Sequence, residues 1–138
     1  MDIKVLMEIY RKERMSPYLQ DVGDGFYTEI ESAIKELKLQ YEECLKRGEI
    51  SKQTTHLKEL ENVKSVIKDL YEIRERKVIL SALNYVRRDG EEIELENLTE
   101  EERKMLDEII CVLKNSRKTI LESSKGGEIE RPPEKRPS

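Results

Sequence analysis

The chain has 138 residues, 26 basic and 30 acidic, with a net charge of −4; 41% are charged and 36% apolar, with one histidine, two cysteines and no tryptophan. That length supports one core plus a tail, and the longest apolar run, Ile109 to Leu113, falls far short of the roughly 20 residues of a membrane span, so a soluble, intracellular protein is expected. The cysteines, 67 positions apart and outside any Cys-x-x-Cys pair, and the single histidine exclude a disulfide framework and a usual structural zinc set, while the acidic balance argues against a surface that coats nucleic acid.

Residues 3 to 14 read as a first helix, because Ile3, Leu6, Ile9 and Tyr10 recur at steps of three and four. Ser16-Pro17 ends it, since the residue before proline is pushed out of the helical region. In the loop that follows, to Gly25, Tyr18, Leu19 and Val22 are expected to anchor on the core. A second helix spans about Phe26 to Arg47, with Phe26, Ile30, Ala33, Ile34, Leu37, Tyr41 and Cys44 or Leu45 on one face and Gly48 as its stop. The short link to Lys52 sends the third helix back antiparallel.

That third helix, about Gln53 to Arg88, carries Leu57, Leu60, Val63 or Lys64, Val66, Ile67, Leu70, Ile73, Val78, Leu80, Leu83 and Val86. A rise of about 50 Å exceeds what a domain of this size needs, so part of it is expected to project or to pack on another chain. Asp89-Gly90 breaks it, and Glu92 to Glu96 alternates with the period of an extended arm. Thr99 and Glu102 form a capping box that opens a fourth helix, with Met105, Leu106, Ile109, Ile110, Leu113, Ile120 and Leu121 on its buried face. From Ser123 onward, two glycines and three prolines with little apolar content predict a disordered tail. The fold class is therefore all-α: four main helices including one long one, a helical domain over 1–122 and a flexible tail over 123–138.

Chemistry-bearing residues are sparse. Antiparallel return of the second hairpin brings Cys44 and His56 within a turn of each other, the start of a thiol–imidazole dyad, but Cys44 lies on the apolar stripe and no oxyanion-hole loop accompanies it. Cys111, between Ile110 and Val112, reads as packing. Residues 91 to 108 hold nine acids and two bases, a solvated face or a docking strip for a basic protein. Arg74, Arg76 and Lys77, with Arg87 and Arg88, form a basic cluster on the third helix that admits three readings: pairing with the chain's own acids, a subunit interface, or phosphate contact with single-stranded DNA. No phosphate-binding glycine loop or Ser/His/Asp set is present, so neither enzymatic activity nor a cofactor is expected.

Three stretches taken together, Ile9 to Pro17 with Phe26-Tyr27, Ile73 to Leu80 with Ala82-Leu83, and Asn97 to Glu102 with Arg117 and Ile120-Leu121, resemble the helical domain of archaeal GINS subunits of the class that places this domain first. The resemblance implies a non-catalytic scaffold in the replication machinery of the cytoplasm, part of a four-subunit core bridging the MCM helicase and a RecJ-like partner. It also implies a homo-tetramer, or a hetero-tetramer with a second GINS subunit, with indirect or weak DNA contact. Carried over onto this sequence, it places Ile9, Tyr10, Arg14, Phe26 and Tyr27 in the family's N-terminal helix and turn and Arg74, Arg76 and Lys77 in its basic central motif; with Leu70 and Leu80 these are the expected subunit-interface residues. Members of this class continue into a small β-rich domain that helps recruit the RecJ-like partner, whereas this sequence ends at Ser138 after a linker-like stretch. Assembly is thus the firmer expectation and coupling to the RecJ-like partner the weaker one. The alternative reading is an unrelated helical-bundle adaptor that docks a basic protein on the acidic strip.

Overall fold

A computed structural model describes residues 1–88 and 95–122. These form α1 (Ile3–Met15), α2 (Phe26–Arg47), α3 (Ile50–Arg87) and α4 (Glu100–Arg117), the last loosening into a π-helical turn over Lys118–Glu122. No strand occurs among the described residues, and none of their helices is long and apolar enough to cross a membrane. Most of the extended arm, up to residue 94, and the tail 123–138 lie outside the described residues.

The helix ends follow local chemistry. The Asp2 carboxylate caps α1, whose C-cap Ser16 is extended ahead of Pro17. Gly48 (φ 68°) takes the left-handed conformation after α2, and its link to α3 is only two residues, Gly48 and Glu49. Thr99 and Glu102 make both halves of the capping box of α4.

The 38 residues of α3 rise about 57 Å, and every other helix packs against it. Rings of Tyr27 and Tyr71 lie 6.3 Å apart, so α2 runs antiparallel from the middle of α3 back to its start. The Tyr10 hydroxyl donates to Asp69 at 3.1 Å and Glu13 reaches Arg74, so α1 is parallel to α3. Glu102 also meets Arg74, while the Lys114 ammonium lies 5.1 Å above the Tyr85 ring, so α4 is parallel as well. Consequently α1 and α4 sit tail to head along the same spine. One apolar cluster (Leu6, Phe26, Ile30, Leu37, Leu60, Val63, Leu70) fills the space under α1 and α2; a second (Leu19, Val78, Ala82, Leu106) lies under α4.

Several expectations need correction. The long helix does not project on its own, because α1, α2 and α4 pack along both its halves. Its open surface lies on particular faces, at Leu57, Ile79 and Leu80. Tyr18, expected to anchor the loop, is 76% exposed; Ile120 and Leu121 also face outward, while of the two alternatives at the end of α2 it is Cys44 that is buried. Cys111 is exposed, its sulfur accepting from the Asn115 amide, because it lies on the side of α4 turned away from α3.

Candidate functional site

Where α1 ends and α4 begins, Arg74 projects from α3 and is completely buried. A guanidinium has five N–H donors, and all five are used. Nε and Nη2 grip the two Glu102 oxygens at 2.7 Å each, Nη1 donates to Glu13 Oε1 (2.7 Å) and the Gln20 carbonyl (2.8 Å), and Nη2 also reaches the Asn97 carbonyl (2.8 Å). Lys77, one turn on, spends its three donors on the Glu13 carboxylate, the Glu13 carbonyl and the Tyr18 carbonyl. The Glu13 carbonyl belongs to the last turn of α1, where backbone acceptors have no helical donor, so Lys77 also caps that helix. Glu102 accepts from the Tyr27 hydroxyl at 2.6 Å and from the Thr99 N–H at 3.0 Å.

Two cations face two carboxylates, and none keeps an empty hydrogen-bonding side. That arrangement is what allows ions to persist in an interior. Burial opposes ionisation of Glu102, but Arg74, Tyr27 and the Thr99 N–H outweigh it and hold its carboxyl below the ordinary value of 4.5. Burial, then the bond to Glu102, push the Tyr27 phenol well above its usual range. For Arg74, burial is again the opposing influence, overcome by Glu102 and Glu13, which keep the guanidinium charged. The node ties all four helices to the loops after α1 and before α4, and Arg74, Glu13 and Glu102 are buried within it.

The residues expected at a subunit interface separate into three groups. Phe26, Leu70 and Arg74 have 1% or less of their surface exposed and are committed to the chain's own interior, which corrects their expected place at an interface. Aspartate at Leu70 would break the chain's own core before it reached any partner. Tyr27 and Lys77 are half-buried servants of the node. Tyr10, Arg14 and Arg76 come together on the rim between α1 and α3, where with Ile73 they line one shallow depression beside Asp69 and Glu72, and the Arg14 guanidinium lies 5.2 Å from the Tyr10 ring centroid; Ile9 lies apart, in a depression with Lys4, Glu8 and Asp21. Leu80, 49% exposed, lies apart from these in a groove with Tyr18.

Of the three readings of the basic cluster, Arg74 and Lys77 take the first, pairing with the chain's own acids, and Arg76 alone of the three points to solvent. Glu13 and Glu102, not singled out as site residues from the sequence, complete the node. A signal for them existed: Leu70, Arg74, Val78 and Ala82 recur at steps of four, Glu13 follows Leu6 and Tyr10 on the stripe of α1, and Glu102 precedes Leu106. Opposite charges embedded in apolar registers of different helices mark a buried ion pair. The Cys44–His56 dyad does not form: no hydrogen bond joins the buried thiol to the imidazole, whose Nδ1 is buried without a partner. Among the described residues no group of three His, Cys, Asp or Glu side chains is placed to hold a metal ion.

Residues 25–121 match the family described as Sld5, GINS complex protein helical bundle domain. The match takes in α2, α3 and α4 and leaves α1 outside it, although Glu13 of α1 is bound to Arg74 at the centre of the matched span. No curated protein matches the chain.

Proposed function

Because the chain belongs to the GINS family through its helical bundle domain, we propose that it is a scaffold subunit of a GINS-type DNA replication complex, part of a four-subunit core that bridges the MCM helicase and a RecJ-like partner. The observation that carries this reading is the family match across more than two thirds of the chain. The family is a non-catalytic one, and the node supports the same role: its groups are locked together and hold the helices in fixed relation, which suits a part that presents surfaces to others.

For the subunit contact itself, the rim between α1 and α3 is the face we assign. It gathers three residues of the expected interface, with Arg14 stacked on Tyr10 and Arg76 free to meet a carboxylate of a neighbour. Arginine and tyrosine are the side chains that most often dominate association energies. DNA contact is indirect in this reading, because two of the three central bases are consumed inside the chain.

The test is purification of the full chain co-expressed with a second GINS-type subunit, followed by light scattering. A four-chain mass that falls in Arg76→Glu and Arg14→Glu, with helicity unchanged, is the expected result. A monomer for the wild-type chain would overturn the scaffold reading, and a mass unchanged in both variants would remove the rim from the interface.

A further inference from the structure

Among the described residues, one face of α3 has no helix over it. Lys77, Leu80, Ser81 and Asn84 recur at steps of three and four and so share that face. Two loop walls flank it, Pro17–Leu19 after α1 and Leu95–Asn97 before α4. The Asn97 amide donates to the Leu19 carbonyl at 3.1 Å, and Arg74 donates to the Gln20 and Asn97 carbonyls. Both walls are therefore pinned to the node at one end. It is preformed, which removes the ordering cost that weakens most peptide sites.

The chemistry of the groove selects its occupant. Tyr18 and Leu80 are large and exposed, and Pro17 and Leu95 extend the apolar walls. The cation on the floor, Lys77, has its charge met by Glu13 and all its donors engaged within the chain. Glu96 is the carboxylate of the lining; it makes no ion pair among the described residues. Exposed Glu100 and Glu101 follow it in the first turn of α4, within a stretch, 91–108, that has nine acids and two bases. On the floor, the Ser81 hydroxyl and Asn84 amide offer donors and acceptors to a peptide backbone. A helix would have no free backbone groups to meet them, whereas an extended chain does. From Lys77 to Asn84 the floor rises about 10 Å, the length of about three extended residues.

We infer that this groove is a docking site for a short, extended, basic segment of another protein, with one apolar side chain seated between Tyr18 and Leu80 and a neighbouring arginine or lysine paired with Glu96. The site is separate from the α1–α3 rim and stands whether or not that rim is the subunit contact.

Fluorescence polarisation on the full chain tests it with two labelled pentapeptides, Leu-Ser-Phe-Arg-Lys and Leu-Ser-Phe-Glu-Glu. The basic probe is expected to bind saturably and at least about tenfold more tightly than the acidic one, with affinity that falls as salt rises. Tyr18→Ala and Leu80→Ser should each weaken it about tenfold while leaving the melting temperature unchanged, since both side chains are exposed. Glu96→Gln should weaken it several-fold and flatten the salt dependence. Equal binding of both probes, binding of neither, or indifference to Tyr18→Ala overturns the proposal. Binding that emerges only after residues 123–138 are removed overturns it in favour of the chain's own tail, and an assembly mass that changes with Tyr18→Ala without probe binding overturns it in favour of a second copy.

Discussion

Along its first half α3 is covered from two sides, by α1 and α2, and Leu60, Val63 and Leu70 sit in a cluster of seven buried apolar residues; along its second half it is covered by α4 and the loop after α1, and Val78 and Ala82 share a cluster of four. The same helix thus packs the larger cluster at one end and leaves the other open on the face of Leu80. What separates them is Arg74, which ends one cluster and begins the next. A continuous apolar stripe would let α1 and α4 slide along the spine. An arginine matched to one glutamate from each fixes where the first stops and the second starts, because a guanidinium fork has one satisfactory position between two carboxylates.

The sharpest way to break this division is to remove the cation. Arg74→Met leaves buried Glu102 without a cation and Glu13 with Lys77 alone, at an expected cost of about 3–5 kcal/mol, read as a large loss in urea midpoint. Arg74→Lys should recover only part of this, because three donors replace five. Next come the two clusters: Leu70→Ala is expected to cost about 3 kcal/mol and to lower amide protection in α1 and α2, whereas Leu106→Ala lowers it in α4 alone. Protection lost evenly over all four helices in either variant would show that the halves unfold as one.

Acid probes the node without mutation. The Glu102 carboxyl is held below 4.5 in the folded chain. Its contribution to stability is therefore complete above the ordinary carboxylate value and disappears as pH falls through the folded one. Melting temperature should decline below about pH 4.5, and Glu102→Gln, which starts less stable, should show a shallower decline at acid pH. The smallest effect belongs to the open face: Leu80→Ser should change stability by less than about 0.5 kcal/mol, since Leu80 is 49% exposed and lies outside both clusters.

Much of the architecture was legible in local chemistry. Gly48 and the Thr99–Glu102 box locate helix ends by their own conformational preferences, and the steps of three and four in α1, α2 and α4 identify faces that are indeed inward. The register of α3 was harder, because its stripe is wide and includes Leu57, Ile79 and Leu80 beside Leu70 and Val78. Periodicity ranks faces by apolar content, and it misplaces a buried arginine whose acceptors lie 28 and 61 residues away in sequence. Cys111 erred the other way, being apolar in its neighbours and exposed in fact. The subunit-interface residues mixed interior and surface because the family resemblance marks positions without saying which way each side chain faces.

The span of the node's contacts also bears on the order of folding. Tyr27 and Glu102 are 75 residues apart, and Asn97 and Leu19 are 78 apart, whereas α2 and α3 meet across a two-residue link. Closing short loops precedes closing long ones, so the hairpin assembles early and the node locks after the rate-limiting barrier. Arg74→Met should then leave the refolding limb of a chevron nearly unchanged and shift almost its whole effect into faster unfolding, so the residue acts as a clasp on the lifetime of the native state rather than as a nucleus for reaching it.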